Sequence, residues 1–404
     1  MASTAQSNDP LHVFFFPFMS PGHLSPMIDI ARLFASHGTK ATILATPQKI
    51  TRFQTILNRD QHTTNNNNII DLLVLDFPYS EANLPENYEN LDTLPSRNFS
   101  CASQYKPHAT VSSDTELFLV PGLPHPVYIT MSQMPVRFFG NLGLHEFFEK
   151  FMEAERDMYG VVSNTFCEIE PEYVKHYEKL VGKKVWPVGL VSLFNTKALD
   201  IAERGNRASI DKDQLLEIGL GLESSKASFT WVIRDSYGDG FLLEDFEERV
   251  RYRAFVIKGW APQVLILNHS AVGGFMTHCG WNSVLESVTA GVPLITWPLF
   301  AEQFYNENFV LNRLGIRSGI GVKTGLAWGE EENIGVLVDR DHVEEVVTRL
   351  MGESEAVQGM RNRVSKLSKL AMAAISKGGS SYVNMVLLIE DLLNLRRDRL
   401  SKSE

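Results

Sequence analysis

Residues 260–303, WAPQVLILNHSAVGGFMTHCGWNSVLESVTAGVPLITWPLFAEQ, decide the fold. Two short apolar runs, GGFMTH and VPLITWP, flank the segment WNSVLESVTAG, whose apolar positions recur with a helical period. Such an order reads as two parallel strands joined through a helix. At its centre THCGWNS (277–283) places the strand's end at His278, a glycine turn, and a helix start near Asn282. A His, a Cys and small hydroxyl and amide side chains at one turn leave three chemistries open: a nucleophile, a metal site or a ligand cradle.

The cradle has the fullest physical support. A helix N-terminus offers unpaired N–H groups and the positive end of a dipole, which suits phosphate oxygens. Gly280 permits close backbone approach, and Asn282 and Ser283 are suited both to cap the helix and to donate to an anion. His278 at the strand's end is placed to donate to that anion, and Glu286, a turn further on, to accept from sugar hydroxyls on the same side. Trp260 offers a flat face for a base, while Glu302 and Gln303 follow the second strand at another C-terminal edge. Each has an ordinary structural explanation when taken singly: a satisfied histidine, a core or rim indole, a helix cap, a solvated helix face. Cys279 has no charged companion close in sequence, which fits a buried, inert thiol. The Gly-x-Ser-x-Gly elbow of a serine nucleophile is absent.

Working outward, 404 residues exceed one ordinary core and imply two domains. HVFFFPF (12–18), a PGHLSP turn, the helical MIDIARLFASHG and KATILATP (40–47) make a βαβ unit, with His23 in its first strand-to-helix loop. Ligands of open α/β sheets collect at that edge. Further strands are expected at 69–78, 160–170, 228–235, 253–258, 272–277 and 292–297, KKVWPVGLVSL (183–193) reads as a crossing between domains, and two amphipathic helices close the chain. From Pro78 to Asp114 no clear period is present. A net charge of −10 argues against a nucleic-acid partner, which requires a basic face, and against an anionic membrane surface. The three cysteines are far apart and lack metal-ligand spacing, as in a reducing compartment. With no signal-peptide pattern and no apolar run of spanning length, a cytoplasmic protein without a transmembrane segment is expected.

Over its whole length the 260–303 stretch resembles the signature box of plant secondary-product UDP-glycosyltransferases, and FFFPFMSPGHLSPMIDIARLFASHG resembles the same family's opening. FPYSEANLPENYENLDTLPSRN and KKVWPVGLVSL resemble its family-73 branch. The resemblance implies an α/β fold of the GT-B type, two facing Rossmann-like doubly wound domains: an acceptor-binding domain over 1–186, a UDP-sugar-binding domain over 187–380, and a helix at 381–404 returning to the first. It implies UDP-glucose as donor, a small lipophilic acceptor of the flavonoid, terpenoid or hormone class, no metal, no permanently bound cofactor and a monomer. Carried over by motif, Trp260 stacks on uracil and Ala261 binds its edge through the backbone. Gln263 and Glu286 contact the ribose region, and His278, Asn282 and Ser283 hold the diphosphate. Trp281 lies beside the sugar, Glu302 and Gln303 read its hydroxyls, and His23 is the catalytic base. A Gln at the last position of the box is the family's usual glucose choice. Phe14, Phe15, Phe16, Phe18, Phe138, Phe139, Phe147 and Phe148 are candidates for the acceptor pocket, the first cluster including ordinary core.

Two segments that the resemblance leads one to expect are missing, one near residue 100 and one near residue 212. The first would carry a strand and the Asp that orients the base. Asp71, Asp76, Asp92 and Asp114 lie near in sequence, yet none matches the motif. The second would carry the first strand of the C-terminal domain with a Gly-Ser loop. Both sheets are therefore expected to be incomplete, and a nucleotide-sugar-binding chain with impaired or no turnover is the alternative reading. A Rossmann dehydrogenase fits worse, because GIGVKTG (319–325) is not Gly-x-Gly-x-x-Gly.

Overall fold

The structure, a computed structural model, describes residues 10–17, 21–47, 70–76, 111–134, 153–154, 156–194, 210–233, 245–259, 261–326 and 335–402. Strand β1 (His12–Phe15) leads into helix α1 (Pro21–Ser36), then β2 (Lys40–Ala45) and β3 (Ile70–Val74). The three strands are parallel in the order β1-β2-β3, with Phe15 opposite Ile43 and Ile43 opposite Leu72. Phe15 points inward, 6% exposed, against Phe34 of α1, whereas Phe14 is 59% exposed on the other face. The period of two therefore sorts the phenylalanine run into core and open face. Phe18 and the four phenylalanines at 138–148 lie outside the described residues.

Helix α1 begins six residues earlier than its apolar period indicated, so His23 belongs to the helix's first turn rather than to a loop. Proline is tolerated there because the first N–H groups have no intrahelical partner. Two further features were not legible in the sequence. One is an antiparallel hairpin, β4 (Leu117–Leu119) and β5 (Tyr128–Thr130). The other is helix α2 (Pro171–Val181), which joins the parallel strands β6 (Gly160–Ser163) and β7 (Lys184–Pro187).

The second half runs α3 (Lys212–Ser224), β8 (Phe229–Ile233), α4 (Phe246–Val250), β9 (Ala254–Lys258), α5 (Gln263–Leu267), β10 (Phe275–Thr277), α6 (Trp281–Ala290), β11 (Leu294–Thr296), α7 (Gln303–Asn308) and β12 (Arg317–Gly319). A π-helical segment, Phe309–Leu314, continues α7, and α8 (Arg340–Met351), α9 (Glu355–Ile375) and α10 (Ser380–Lys402) complete the chain. All its strand pairs are parallel. The terminal helix α10 lies against the first half: Lys184 pairs with Asp391 at 2.7 Å, and Asn384 donates to the Pro187 carbonyl at 3.0 Å. No helix among the described residues is long and apolar enough to cross a membrane.

Among the described residues the parallel strands of each half lie in two pieces. Among the described residues β1-β2-β3 is separate from β6-β7, and β8-β9 is separate from β10-β11-β12. Cores nonetheless bridge the breaks. Phe15, Ile43 and Ile70 share one cluster with Trp186 and Val188; Trp231 and Ile233 share another with Ile295 and Trp297. In a doubly wound sheet of order 3-2-1-4-5-6, the pieces β9-β8 and β10-β11-β12 occupy positions 3-2 and 4-5-6. The first-strand position, whose C-terminal turn approaches phosphates in such folds, is unfilled among the described residues. Val232 and Phe255, 45% and 66% exposed, mark an apolar face on the β8-β9 piece.

Helices α3 and α8 approach closely at Gly221, where a Cβ would lie 2.5 Å from Val343 Cβ and 2.6 Å from the Arg340 carbonyl oxygen. Gly221→Ala should therefore lower the thermal midpoint, overpacking costing about 1–3 kcal/mol and outweighing the better helix propensity of alanine. A raised midpoint would show that this contact is loose.

Candidate nucleotide-sugar site

Strand β10 ends at Thr277 and the chain turns into α6 through His278, Cys279 and Gly280. Cys279 has φ +66°, a left-handed conformation rare for a residue with a side chain, and it is fully buried. Its carbonyl accepts from Asn306 Nδ2 at 2.9 Å, which braces the turn from α7. Burial raises the thiol's pKa, with the neighbouring Glu307 adding to the effect. A thiol held protonated in this way is neither a nucleophile nor a metal ligand. No three His, Cys, Asp or Glu side chains cluster as a metal site among the described residues.

Gly280 is the N-cap of α6 and, as a glycine, has no side chain to cap it. Its first turn, Trp281, Asn282 and Ser283, therefore presents backbone N–H groups as the sequence led one to expect, although the helix starts one residue earlier. The His278 imidazole lies over Gly280, where a Cβ would stand 2.7 Å from Nε2. Protein around the ring desolvates it and pushes its pKa down to about 4, although part of the residue's surface stays open. His278 is accordingly neutral near pH 7, a hydrogen-bonding group rather than a fixed cation.

Three more expected site residues meet beside this turn. Gln263, at the start of α5, donates Nε2 to Glu286 Oε2 at 2.7 Å and to Ser283 Oγ at 3.3 Å. Ala261, two residues earlier, is buried. Trp260 lies outside the described residues. Ser283 is itself buried, whereas Gln263 and Glu286 are half-buried.

The loop after β11 supplies the other edge. Ala301 is left-handed at φ +51°, and Glu302 is the N-cap of α7. Desolvation raises the Glu302 pKa. Gln303 is 3% exposed, and its Oε1 accepts from Leu299 N at 2.8 Å and Phe300 N at 3.1 Å. The amide oxygen of Gln303 is thus committed to shaping the loop.

Trp281 is tied elsewhere as well. Its Nε1 donates to the Asn164 carbonyl at 3.0 Å, and its ring meets Phe309 edge-on. Asn164, just past β6, also donates Nδ2 to Asn282 Oδ1 at 3.2 Å. Pattern alone does not single out Asn164; the only local signal is its place at a strand's C-terminal end. Other links between the halves are Gly325 N to the Ser132 carbonyl at 2.9 Å and Arg313 to Glu172 at 3.1 Å.

His23 also follows the C-terminal end of a parallel strand. Its side chain is exposed, and the surrounding protein lowers its pKa by desolvation. Of the nearby acids, Asp71 lies on β3 in an exposed pair with Lys40 at 3.2 Å, and Asp92 lies outside the described residues.

Comparison with known proteins gives this geometry its context. Residues 208–319 match the family model "UDP-glucoronosyl and UDP-glucosyl transferase". UDP-glycosyltransferase 73C3 of Arabidopsis thaliana is 40% identical over 489 aligned positions, which cover 97% of this chain and 98% of the relative. Set against 404 residues, those 489 positions leave at least 85 with no residue of this chain opposite them. UDP-glycosyltransferase 73C25 of Barbarea vulgaris is 38% identical, covering 98% of this chain and 99% of its own. Among solved structures, Glycyrrhiza uralensis UGT73P12, complexed with glycyrrhetinic acid 3-O-monoglucuronide, superposes with a TM-score of 0.88 at 33% identity, covering 98% of each chain. In its GT-B fold and over nearly its full length, the chain belongs to the plant family 1 UDP-glycosyltransferases, enzymes of glycosyl transfer from a UDP-sugar.

Proposed function

We propose that the protein transfers glucose from UDP-glucose to a hydroxyl of a small lipophilic plant metabolite in the cytoplasm, with inversion and with His23 as the base. The observation that carries the donor half is the meeting of Gln263, Ser283, Glu286 and His278 around the glycine-capped start of α6. In this reading the diphosphate lies on the Asn282 and Ser283 amides and on neutral His278, whose N–H donates to it. Gln263 and Glu286 face the ribose, and Trp260 and Ala261 the uracil. Glu302 and the amide nitrogen of Gln303 face sugar hydroxyls, and Trp281 offers its ring beside the sugar, since its indole N–H is already bonded.

The acceptor oxygen attacks the anomeric carbon, and the bond from that carbon to the UDP oxygen breaks as the new glycosidic bond forms. The hydroxyl proton passes to the His23 imidazole. Negative charge developing on UDP is met by fixed dipoles that are already in place, so little reorganisation is needed. A lipophilic acceptor is supported by the relative crystallised with glycyrrhetinic acid 3-O-monoglucuronide and by the exposed Phe14 on β1 and Phe16 just after it.

A second reading, UDP-sugar binding with impaired or no turnover, is favoured by the divided sheets and by the lack of an Asp that matches the family's orienting position. Loss of an orienting carboxylate lowers the rate of a histidine base by about 10²–10⁴-fold. Calorimetric titration with UDP, together with UDP release from UDP-glucose in the presence of a flavonol or a triterpene, separates the two. Release that His23→Ala lowers by about 10²–10⁴-fold supports catalysis. Binding without release supports the second reading, and neither result would remove both.

Two consequences are specific to the geometry. The neutral form of His23 is the base, and its pKa is depressed, so the acid limb of kcat/KM should lie below the ordinary 6.5 of histidine. A limb above that value would exclude His23. Gly280→Ala should weaken UDP binding about tenfold or more by displacing the His278 imidazole, and unchanged affinity would mean that this ring does not meet the diphosphate.

A further inference from the structure

We infer that Asn164 is a positioning residue: from the N-terminal half of the chain it sets which end of the Asn282 side-chain amide faces the diphosphate. The orientation follows from a chain of hydrogen bonds whose first member is unambiguous. The backbone N–H of Val191 is a donor only, and it bonds Asn164 Oδ1 at 3.2 Å. That bond fixes the Asn164 amide, so its Nδ2 is the atom facing Asn282 at 3.2 Å. An NH2 group donates, and the Asn282 atom that receives it must be Oδ1. The Asn282 nitrogen is thereby turned away from Asn164, and the carbonyl end is kept away from the ligand side.

For an anionic ligand the difference is one of sign. A side-chain NH2 adds to the attraction of the α6 N–H groups, whereas a carbonyl oxygen opposes it. The backbone carbonyl of Asn164 makes the arrangement firmer by accepting Trp281 Nε1 at 3.0 Å, so one residue holds the first two positions of α6. Asn164 is itself enclosed, since a Cβ on Gly189 would lie 2.7 Å from its Oδ1. None of these contacts requires Asn164 to touch the ligand.

This inference rests on the proposed diphosphate cradle, and its test keeps the two apart. Asn164→Ala removes the donor that Asn282 Oδ1 accepts from. Asn164→Asp presents two acceptor oxygens, so that Asn282 turns its nitrogen inward and its oxygen outward. UDP and uridine affinities are measured by calorimetry for wild type, both variants, Asn282→Ala and the two double variants. The expected result is a loss of UDP affinity of about tenfold for Asn164→Ala, a larger loss for Asn164→Asp, and uridine affinity unchanged in both. In the Asn282→Ala background the extra loss caused by Asp should disappear. An extra loss that persists there is plain charge repulsion and overturns the inference, as does unchanged UDP affinity in Asn164→Ala or an equal weakening of UDP and uridine. If wild type fails to bind UDP, the cradle reading falls. The thermal midpoints of the ligand-free Asn164→Ala and Asn282→Ala cycle then decide the brace, with additive shifts overturning it.

Discussion

The start of α6 cannot satisfy its own first backbone N–H groups, and its N-cap, Gly280, has no side chain with which to do so. Contacts from several directions hold the turn and the first helical residues in place. Cys279 adopts a left-handed turn so that β10 can deliver the chain into the helix without a longer loop. Asn306 secures that turn from below, and Asn164 holds the first helical residues from the other half of the chain. Neutral His278 covers Gly280 without placing a permanent charge there. A ligand with clustered negative oxygens is what such an environment favours.

Helix α7 ties the two sides of this site together. Gln303 shapes the loop at 299–300 and Asn306 the turn at 279, while Glu307 pairs with largely buried Arg317 at 2.8 Å and accepts from Thr296 at 2.7 Å. Residues three and four apart on a helix share a face, so one short element braces both loops and the ends of β11 and β12. Desolvation pulls the Arg317 pKa down and the Glu307 pKa up, against their mutual attraction. Their bond therefore fixes register rather than supplying a large stability gain.

Much of this was legible in the sequence because it rests on local periodicity. The alternation around Phe15, the short apolar runs at 275–277 and 294–296, and the amphipathic terminal helices all appear where pattern placed them. The meeting of Gln263, Ser283 and Glu286 followed from a motif of known order. What pattern could not supply were contacts between distant segments. Asn164 lies 118 residues from Asn282 in sequence, and nothing in SNTF announces a partner there. The commitment of Gln303 to backbone amides was likewise invisible, because an amide suited to a sugar is equally suited to a loop. The early start of α1 was hidden by Pro21 and Pro26, which read as turn residues; Pro21 is tolerated at the first helical position, and Pro26 lies one turn further inside the helix.

The divided sheets test how far such a site can persist without its usual frame. Shared cores still connect β1 to β7 and β8 to β11, so burial holds the pieces together where strand hydrogen bonds do not. Gln263, His278, Ser283, Glu286 and Gln303 all lie on or beside β10, α5, α6 and α7, outside the β8-β9 piece. A crystal structure with UDP bound addresses the central claim most directly. The account requires diphosphate oxygens within hydrogen-bonding distance of the Asn282 and Ser283 backbone nitrogens and of His278; a diphosphate seated away from the start of α6 would contradict it.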